Sequence, residues 1–170
     1  MRCAAIAMVV LLAWIGGCAA EPMTHVSIVA NGHKWSMELA MGDAAIQRGL
    51  MERTSLEPGT GMLFVFPKPT TRNFWMAWCV MPIDLVFLDA RGRVVATWEM
   101  PVEPPIRDGE SEQAYLQRMP PYSSRVPVRF AAEFPAGTIQ DDGIKRGDLF
   151  DMDIAMLFEM EHRKSSDKSR

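Results

Sequence analysis

Residues 83–98 read IDLVFLDARGRVVATW, and this stretch indicates the fold class most directly. Two apolar runs, Ile83–Leu88 and 93–98, flank the polar tetrapeptide 89–92. Aspartate and glycine suit a tight turn, because the aspartate side chain bonds nearby backbone groups and glycine adopts positive φ without steric cost. The stretch therefore predicts a β-hairpin.

A second hairpin is predicted nearer the N-terminus. Asn31-Gly32 separates two short alternating runs at 25–29 and 34–39. An Asn-Gly pair tolerates positive φ at both central positions of a two-residue turn, which is the conformation that hairpins favour. Three more apolar runs predict further strands, at residues 61–66, 73–78 and 126–134.

Short helices are predicted in two places. Asp43 suits the N-cap of a helix that runs to Arg48, and Gly49 is the type of residue that ends one. Six of the prolines fall between residues 101 and 127. That density predicts a long surface loop with a single helical turn at Glu112–Gln117.

The segment 149–160 fits two periodicities. Apolar side chains recur at every second position as in a strand, whereas three methionines also recur at every fourth position as in a helix. We favour the strand, because six consecutive alternations rarely arise by chance. They are Phe150, Met152, Ile154, Met156, Phe158 and Met160. Residues 161–170 contain no apolar residue and are predicted to form a disordered tail.

Composition places these elements in one ordinary globular domain. The chain has 170 residues, of which 48% are hydrophobic and 23% are charged, as is typical of such domains. The formal net charge is −3 and no basic stripe is visible, so nucleic acid is not expected as a partner. The prediction is a single, mostly β (α+β) domain over residues 26–160.

The first residues of the chain indicate an export signal. Arg2 precedes an apolar run at 4–14, which is shorter than the roughly 20 residues that span a bilayer and fits a secretory signal peptide. The following Ile15-Gly16-Gly17-Cys18 resembles a bacterial lipobox. The resemblance implies that residues 1–17 are a lipoprotein signal peptide and that Cys18 is lipidated. The alternatives are an uncleaved membrane helix, or an ordinary signal peptide with an incidental cysteine.

Lipidation would tie the domain to a membrane through the linker 18–25. Ala19 follows the cysteine, which by resemblance to the sorting of Gram-negative lipoproteins favours the outer membrane and a periplasmic domain. Several acyl chains together anchor a protein stably. Loss of the signal peptide leaves Cys79 as the lone thiol of the domain, and we interpret it as buried and inert rather than as a nucleophile.

Three blocks of sequence carry a family resemblance. They are GLMER at 49–53, GMLFVF at 61–66, and FWM at 74–76 followed by PIDLVFLD at 82–89. From about residue 24 to residue 154 the chain resembles the family catalogued as domain of unknown function 192. The resemblance implies a compact, barrel-like β-rich domain with short helices, and it implies no established activity. The chain departs from the family at 77–79, where Ala-Trp-Cys replaces polar residues.

Methionine is frequent in this chain, with 14 residues. Met51, Met62 and Met76 lie within the family blocks, the last beside Trp75. Thioethers are soft ligands suited to Cu(I), and a tryptophan face attracts a bound cation. The same residues also fit an apolar ligand groove, or core packing, where methionine fills irregular gaps. Core packing is the preferred interpretation, and the other two stay open.

Two charged residues complete the candidate ligand-binding set. Arg53 has the geometry to bind an anion through two parallel hydrogen bonds, and it equally fits a surface ion pair. Asp84 lies in an apolar strand, where a charge must be exposed, paired or protonated. Its candidate roles are to anchor a polar ligand group, to cap the backbone amides of the turn after Pro82, or to pair with Arg53.

These observations favour a non-catalytic binding module for a small ligand or an envelope partner protein. The sequence contains no His-x-x-x-His pair, no Gly-x-Ser-x-Gly elbow and no phosphate loop. No catalytic residue is therefore assigned. A Cu(I)-binding protein is the alternative function, and a hydrolase-type enzyme is a weaker one.

Overall fold

A computed structural model describes residues 24–167 of the chain. Strands and short helices alternate along this part of the sequence. In chain order they are β1 (His25–Ala30), β2 (His33–Met41), α1 (Asp43–Arg48), β3 (Thr60–Thr70), β4 (Asn73–Phe74), β5 (Ile83–Leu88), β6 (Val94–Met100), α2 (Glu112–Gln117), β7 (Tyr122–Ser123), β8 (Val128–Pro135), α3 (Thr138–Asp141) and α4 (Ile154–Asp167).

The main sheet has six strands in the order β1-β2-β3-β8-β5-β6. Neighbours are antiparallel except for the parallel pair β2 and β3, which the crossover through α1 connects. β4 and β7 pair separately as a small ribbon. The prediction of a mostly β domain with short helices is confirmed. The barrel-like arrangement is wrong, because β1 and β6 do not pair with each other and the sheet stays open. Within residues 24–167, their outer edges form only isolated bridges, from Val29 to Asp151 and from Arg93 to Leu149.

Both predicted hairpins are present. Ala30 pairs with His33 across a two-residue turn in which Asn31 and Gly32 have φ of 47° and 87°. In the second hairpin, Asp89 Oδ1 accepts hydrogen bonds from the backbone N–H groups of Arg91 and Arg93 at 2.8 and 3.0 Å. Both turns were predictable from the sequence, because the interactions that stabilise them join residues close together in the chain.

The predicted helices at 43–48 and 112–117 are also confirmed, with one change at the first. Gly42, not Asp43, occupies the N-cap position of α1, and Asp43 lies in the first turn. Gly49 follows α1 with φ of 48°, a backbone conformation that favours glycine. Ser111 caps α2 by accepting a hydrogen bond from Ala114 N at 3.2 Å.

The predicted strand at 149–160 is wrong beyond its first residues. Leu149 and Asp151 do form isolated β-bridges, but Ile154 begins helix α4. Asp153 Oδ1 accepts a hydrogen bond from Met156 N at 2.9 Å, which is how an N-cap residue begins a helix. The helix prevails because it places Leu157, which is 1% exposed, in the core.

Helix α4 also continues past the predicted end of the domain. It runs to Asp167 and buries Glu161, so the prediction of a disordered tail is wrong for residues 161–167. Within residues 24–167, no helix is both long enough and apolar enough to cross a membrane.

The predicted strand at 73–78 is also shorter than expected. Only Asn73 and Phe74 are extended in β4, after which the chain turns and Trp78 adopts a φ of 57°. Trp75 and Trp78 therefore do not alternate across one strand, as they would if residues 73–78 were extended throughout. Trp78 instead packs on Tyr115, whose hydroxyl accepts a hydrogen bond from Trp78 N at 3.0 Å.

The main sheet has two different faces, because successive side chains along a strand point to opposite sides. On β5, Val86 and Leu88 point to the face that α4 covers, which we call the closed face. Leu85 and Phe87 point to the other face, which α1 and the segments 50–56 and 74–81 cover only in part. We call it the cavity face.

Candidate functional site

The cavity face opens into a cavity of about 350 Å³. It lies between α1, the turn that follows α1, and the residues around β4. Aromatic side chains form much of its apolar wall, and its charged polar groups come from four residues. These polar groups belong to Asp43, Arg48, Arg72 and Glu133. A concave, mostly apolar space with a few polar groups is the usual form of a small-molecule site.

The aromatic wall is a consequence of strand alternation. Phe64 and Phe66 are two apart on β3, so both point to the cavity face. Phe74 packs edge-on against Phe64 and Phe66, with ring centroids 5.0 and 6.4 Å away. Trp75 follows and is 44% exposed at the cavity mouth. Rings held edge to face in this way form a wall with little freedom to move.

Glu133 is the buried acid of this site. It lies in the middle of the sheet on β8, paired with Met62 of β3 and Leu85 of β5, and it is 5% exposed. Its Oε2 atom has no hydrogen-bond partner among residues 24–167. A buried polar atom without a partner costs free energy, so this oxygen is a place where a ligand would be favoured.

Burial also determines the protonation state of Glu133. Removal of the carboxylate from water raises its pKa to about 8, and the positive charge of Arg53 opposes this only in part. The side chain is therefore mainly a neutral carboxylic acid at pH 7. A neutral acid has one O–H donor as well as acceptor oxygens, so it is suited to an uncharged polar group of a ligand.

Gly49 keeps the space above Glu133 free. A Cβ atom at this position would lie 3.3 Å from the Phe64 ring and 3.7 Å from Glu133 Oε2. The glycine's positive φ and its missing side chain both serve the turn at the end of α1. The family block that begins at this residue therefore forms one side of the cavity.

Arg72 supplies a cationic group. Its guanidinium lies over the Phe66 ring, with the central carbon 4.2 Å from the ring centroid. The Nε atom is buried and has no hydrogen-bond partner in the described part of the chain. Burial lowers the pKa of Arg72 and the nearby Asp43 carboxylate raises it, yet a guanidinium stays charged in proteins. Arg72 thus presents a buried, unpaired donor to the cavity.

Cys79 lines the same cavity and is buried, as predicted. Burial raises its pKa to about 12, with a further contribution from Glu133. The thiolate is the reactive form of cysteine, and it is scarce at neutral pH with such a pKa. The geometry therefore gives Cys79 a packing role.

The six predicted ligand-binding residues do not lie together in one site. Met51 and Trp75 line the cavity described above. Met62 and Arg53 line a neighbouring cavity of about 480 Å³, which Met51 also borders. Met76 is 1% exposed within the apolar core of the cavity face. No single space therefore contains all three methionines.

The two predicted charged residues have partners within the fold. Arg53 forms an ion pair with Glu38 at 2.6 Å. Asp84 is 1% exposed on the closed face, and its Oδ2 accepts a hydrogen bond from Ile139 N at 2.7 Å. Burial raises the pKa of Asp84, and the amides of Ile139 and Gly137 lower it. Asp84 thus caps backbone amides, but those at the start of α3 and not those of the turn after Pro82.

Two residues of the cavity, Glu133 and Arg72, are not among the site residues that the sequence predicts. Glu133 carries a usable signal, because it is the lone acid within the apolar run of β8, as Asp84 is in β5. No sequence signal that we recognise marks Arg72, because it lies in the polar connection between β3 and β4. Its position depends on the hydrogen bond from its backbone N–H to Ser124 Oγ at 2.9 Å, a contact remote in sequence.

The Cu(I) hypothesis stays a prediction. Among residues 24–167, no group of three or more histidine, cysteine, aspartate or glutamate side chains is placed to hold a metal. A thioether site would depend on methionines instead, and Met51 and Met62 border one cavity while Met76 lies in the core. A three-methionine site would thus require rearrangement around Met76.

Comparison with known proteins assigns the chain to a family without assigning an activity. The model of the family DUF192, described as "Uncharacterized ACR", matches residues 26–152. No match was found among curated proteins. A solved protein from Novosphingobium aromaticivorans DSM 12444, of unknown function, is similar with 27% identity and a TM-score of 0.62, covering 78% of this chain and 91% of its own.

A second solved structure is similar to the same degree. It is a protein of Sinorhizobium meliloti 1021 described as a proposed transcription regulator. The identity is 27% and the TM-score 0.61, with 75% of this chain and 92% of that chain covered. The likeness therefore extends over nearly the whole length of both relatives.

Proposed function

The chain belongs to the DUF192 family, and we propose that it is a non-catalytic module that binds a small ligand in the cavity bordered by Glu133. One observation supports the proposal above all others. A carboxyl group in the centre of the sheet is buried beside an aromatic-walled cavity and leaves Oε2 without a partner. A ligand group that bonds to this oxygen would remove an unfavourable interaction of the free protein.

The size and lining of the cavity also support a small molecule rather than a macromolecule. Ligand pockets typically have volumes of about 300–1,000 Å³, and this one is about 350 Å³. The thiol of Cys79 in the cavity wall is not activated as a nucleophile, because burial raises its pKa to about 12 and the thiolate is the reactive form.

Occupancy of the cavity is tested first by native mass spectrometry of the full chain, purified from its own cells in mild detergent. We expect a bound organic mass of a few hundred daltons. As a defined probe, 1-anilinonaphthalene-8-sulfonate should bind with enhanced fluorescence. Gln47→Trp places a large ring at the cavity mouth from an exposed position on α1, and it should abolish both signals.

The matched control is Gln140→Trp, which puts the same ring on an exposed position of α3, remote from the cavity. It should leave both signals unchanged. A bare mass together with no dye binding in the unmodified protein would contradict the proposal. So would dye binding that Gln47→Trp and Gln140→Trp reduce equally.

We also propose that the domain works in the periplasm as an outer-membrane lipoprotein. The support is the sequence alone, since residues 1–17 and Cys18 lie outside the described residues. Metabolic labelling with a radioactive fatty acid should mark the wild-type protein and not Cys18→Ser. The variant should also leave the membrane fraction. Equal labelling of both would contradict lipidation at Cys18.

A further inference from the structure

We infer that the ligand of this cavity is a small apolar molecule with a single carboxylate, and that Arg72 recognises the carboxylate. The inference rests on the proposed binding function and adds the chemical class of the ligand. It depends on the charges along the cavity, on the unpaired donor of Arg72 and on the aromatic wall.

The charged groups of the cavity favour an anion. Arg48 and Arg72 oppose the carboxylate of Asp43, and burial raises the pKa of Glu133 to about 8, which favours its neutral form at pH 7. The lining therefore has one positive charge in excess at neutral pH. A ligand with one negative charge neutralises this excess, whereas a second negative charge would be buried without a cation to compensate it.

Arg72 is the group best placed to recognise this charge. Its Nε–H is buried without an acceptor, and its guanidinium is held against the Phe66 ring at 4.2 Å. A planar guanidinium binds a carboxylate through parallel, charge-assisted hydrogen bonds. Stacking on an aromatic ring fixes the plane of the guanidinium, which reduces the entropy lost when a ligand binds.

The rest of the cavity is suited to an apolar body. Phe64, Phe66 and Phe74 form its wall, with Trp75 at the mouth. Planar rings and alkyl chains both gain free energy there, at about 25 cal/mol for each Å² of apolar surface removed from water. Glu133 then provides one uncharged hydrogen-bonding partner deep in the site, which suits a hydroxyl or carbonyl group of the ligand.

The test compares carboxylic acids with their primary amides, which have nearly the same shape and no charge. The probes are 2-naphthoate with 2-naphthamide, and phenylacetate with phenylacetamide, titrated by calorimetry into the full chain at pH 7. We expect each acid to bind at least about tenfold more tightly than its amide, which corresponds to about 1.4 kcal/mol.

Variants then assign the preference to Arg72. Arg72→Gln should reduce the ratio of acid to amide affinity to about twofold or less. Arg72→Lys keeps the charge and should retain an intermediate ratio. Arg91→Gln removes the same charge from the exposed second hairpin and should leave the ratio unchanged. Circular dichroism and melting temperatures check that each variant is folded.

The outcomes separate this inference from the proposal on which it rests. Acids and amides that bind equally well, or a preference that survives Arg72→Gln, would overturn the carboxylate inference and leave the cavity as a binding site. The carboxylate inference would also be overturned, and the binding site retained, if no acid or amide binds but the wild type carries a co-purified mass that the Gln47→Trp variant lacks. An empty cavity under every condition would overturn both.

Discussion

Asp84 and Glu133 are two buried acids on neighbouring strands, and their surroundings differ in every other respect. Each is the lone acid of its strand. They are offset by one register position, since Asp84 pairs with Phe134 and Glu133 pairs with Leu85. That offset places Asp84 on the closed face and Glu133 on the cavity face. Strand alternation alone therefore directs two similar residues to opposite sides of one sheet.

The difference lies in their hydrogen-bond partners. Asp84 accepts a hydrogen bond from Ile139 N at 2.7 Å and so attaches α3 to the sheet. Glu133 Oε2 has no partner among residues 24–167 and borders a cavity. Burial by itself is thus a poor guide to function. A buried acid whose partners are all protein groups is structural, and one that lacks a partner at a cavity marks a candidate site.

The largest expected difference between the two acids is in how the free energy of unfolding changes with pH. We expect Glu133 to cause a large change. Its pKa rises from the reference value of 4.5 to about 8 on folding, so the folded state holds this proton more tightly than the unfolded state. The stability it contributes is complete below pH 4.5 and is lost as the pH rises to about 8. Relative to Glu133→Gln, the wild type should lose roughly 3–5 kcal/mol between pH 4.5 and 8.5.

Urea unfolding at several pH values measures this loss as the difference between the two proteins. Glu57→Gln is the control, because Glu57 is exposed and its replacement should leave the pH dependence as in the wild type. Parallel curves for the wild type and Glu133→Gln would mean that Glu133 is ionised in the folded protein. Glu133 would then not be a buried neutral acid, and its proposed difference from Asp84 would be wrong.

A smaller effect is expected from Asp84→Ala. Asp84 is 1% exposed, and the change removes the acceptor of the Ile139 backbone N–H. A buried donor left unpaired costs about 1–3 kcal/mol. We expect a destabilisation of about 2 kcal/mol with dye binding unchanged. Asp84→Asn keeps one acceptor oxygen and should cost less. Loss of dye binding in a folded Asp84→Ala protein would show that Asp84 belongs to the site after all.

The smallest effect on stability is expected from a change at Arg53. This residue lines the neighbouring cavity, and its charge acts on Glu133 of the first cavity. Its ion pair with Glu38 is partly exposed, and such pairs contribute about 1 kcal/mol or less. Arg53 also lowers the pKa of Glu133. Arg53→Gln should therefore change stability little at pH 5, and shift the Glu133-dependent loss to higher pH. A shift to lower pH would contradict this arrangement.

Whether an element is predicted correctly from the sequence depends on how far apart in the chain its interacting residues lie. The hairpin turns at 31–32 and 89–92 and the helices at 43–48 and 112–117 were predicted, because each is governed by neighbouring residues. The strand predicted over 149–160 is wrong from Ile154 onward, because the apolar alternation is real but tertiary packing decides between strand and helix. Leu157 becomes buried, and Phe158 stacks on Phe130 at 5.4 Å, only when the segment is helical.

The candidate site was predicted only in part, for the same reason. Met51 and Trp75 were identified through the family blocks, and both border the cavity. Met76, from the same blocks, lies in the core instead. Glu133 and Arg72 come from segments far apart in the chain, and nothing local shows that both lack a hydrogen-bond partner.

The sequence by itself determined the turns, most of the strands, the mostly β class and the family, because these follow from local conformational preferences and apolar periodicity. Only the tertiary structure decided that the sheet stays open, that α4 covers one face, and that Glu133 and not Asp84 borders a cavity. These outcomes depend on which strands become neighbours and on whether each buried polar atom finds a partner. Both are properties of contacts between residues distant in sequence.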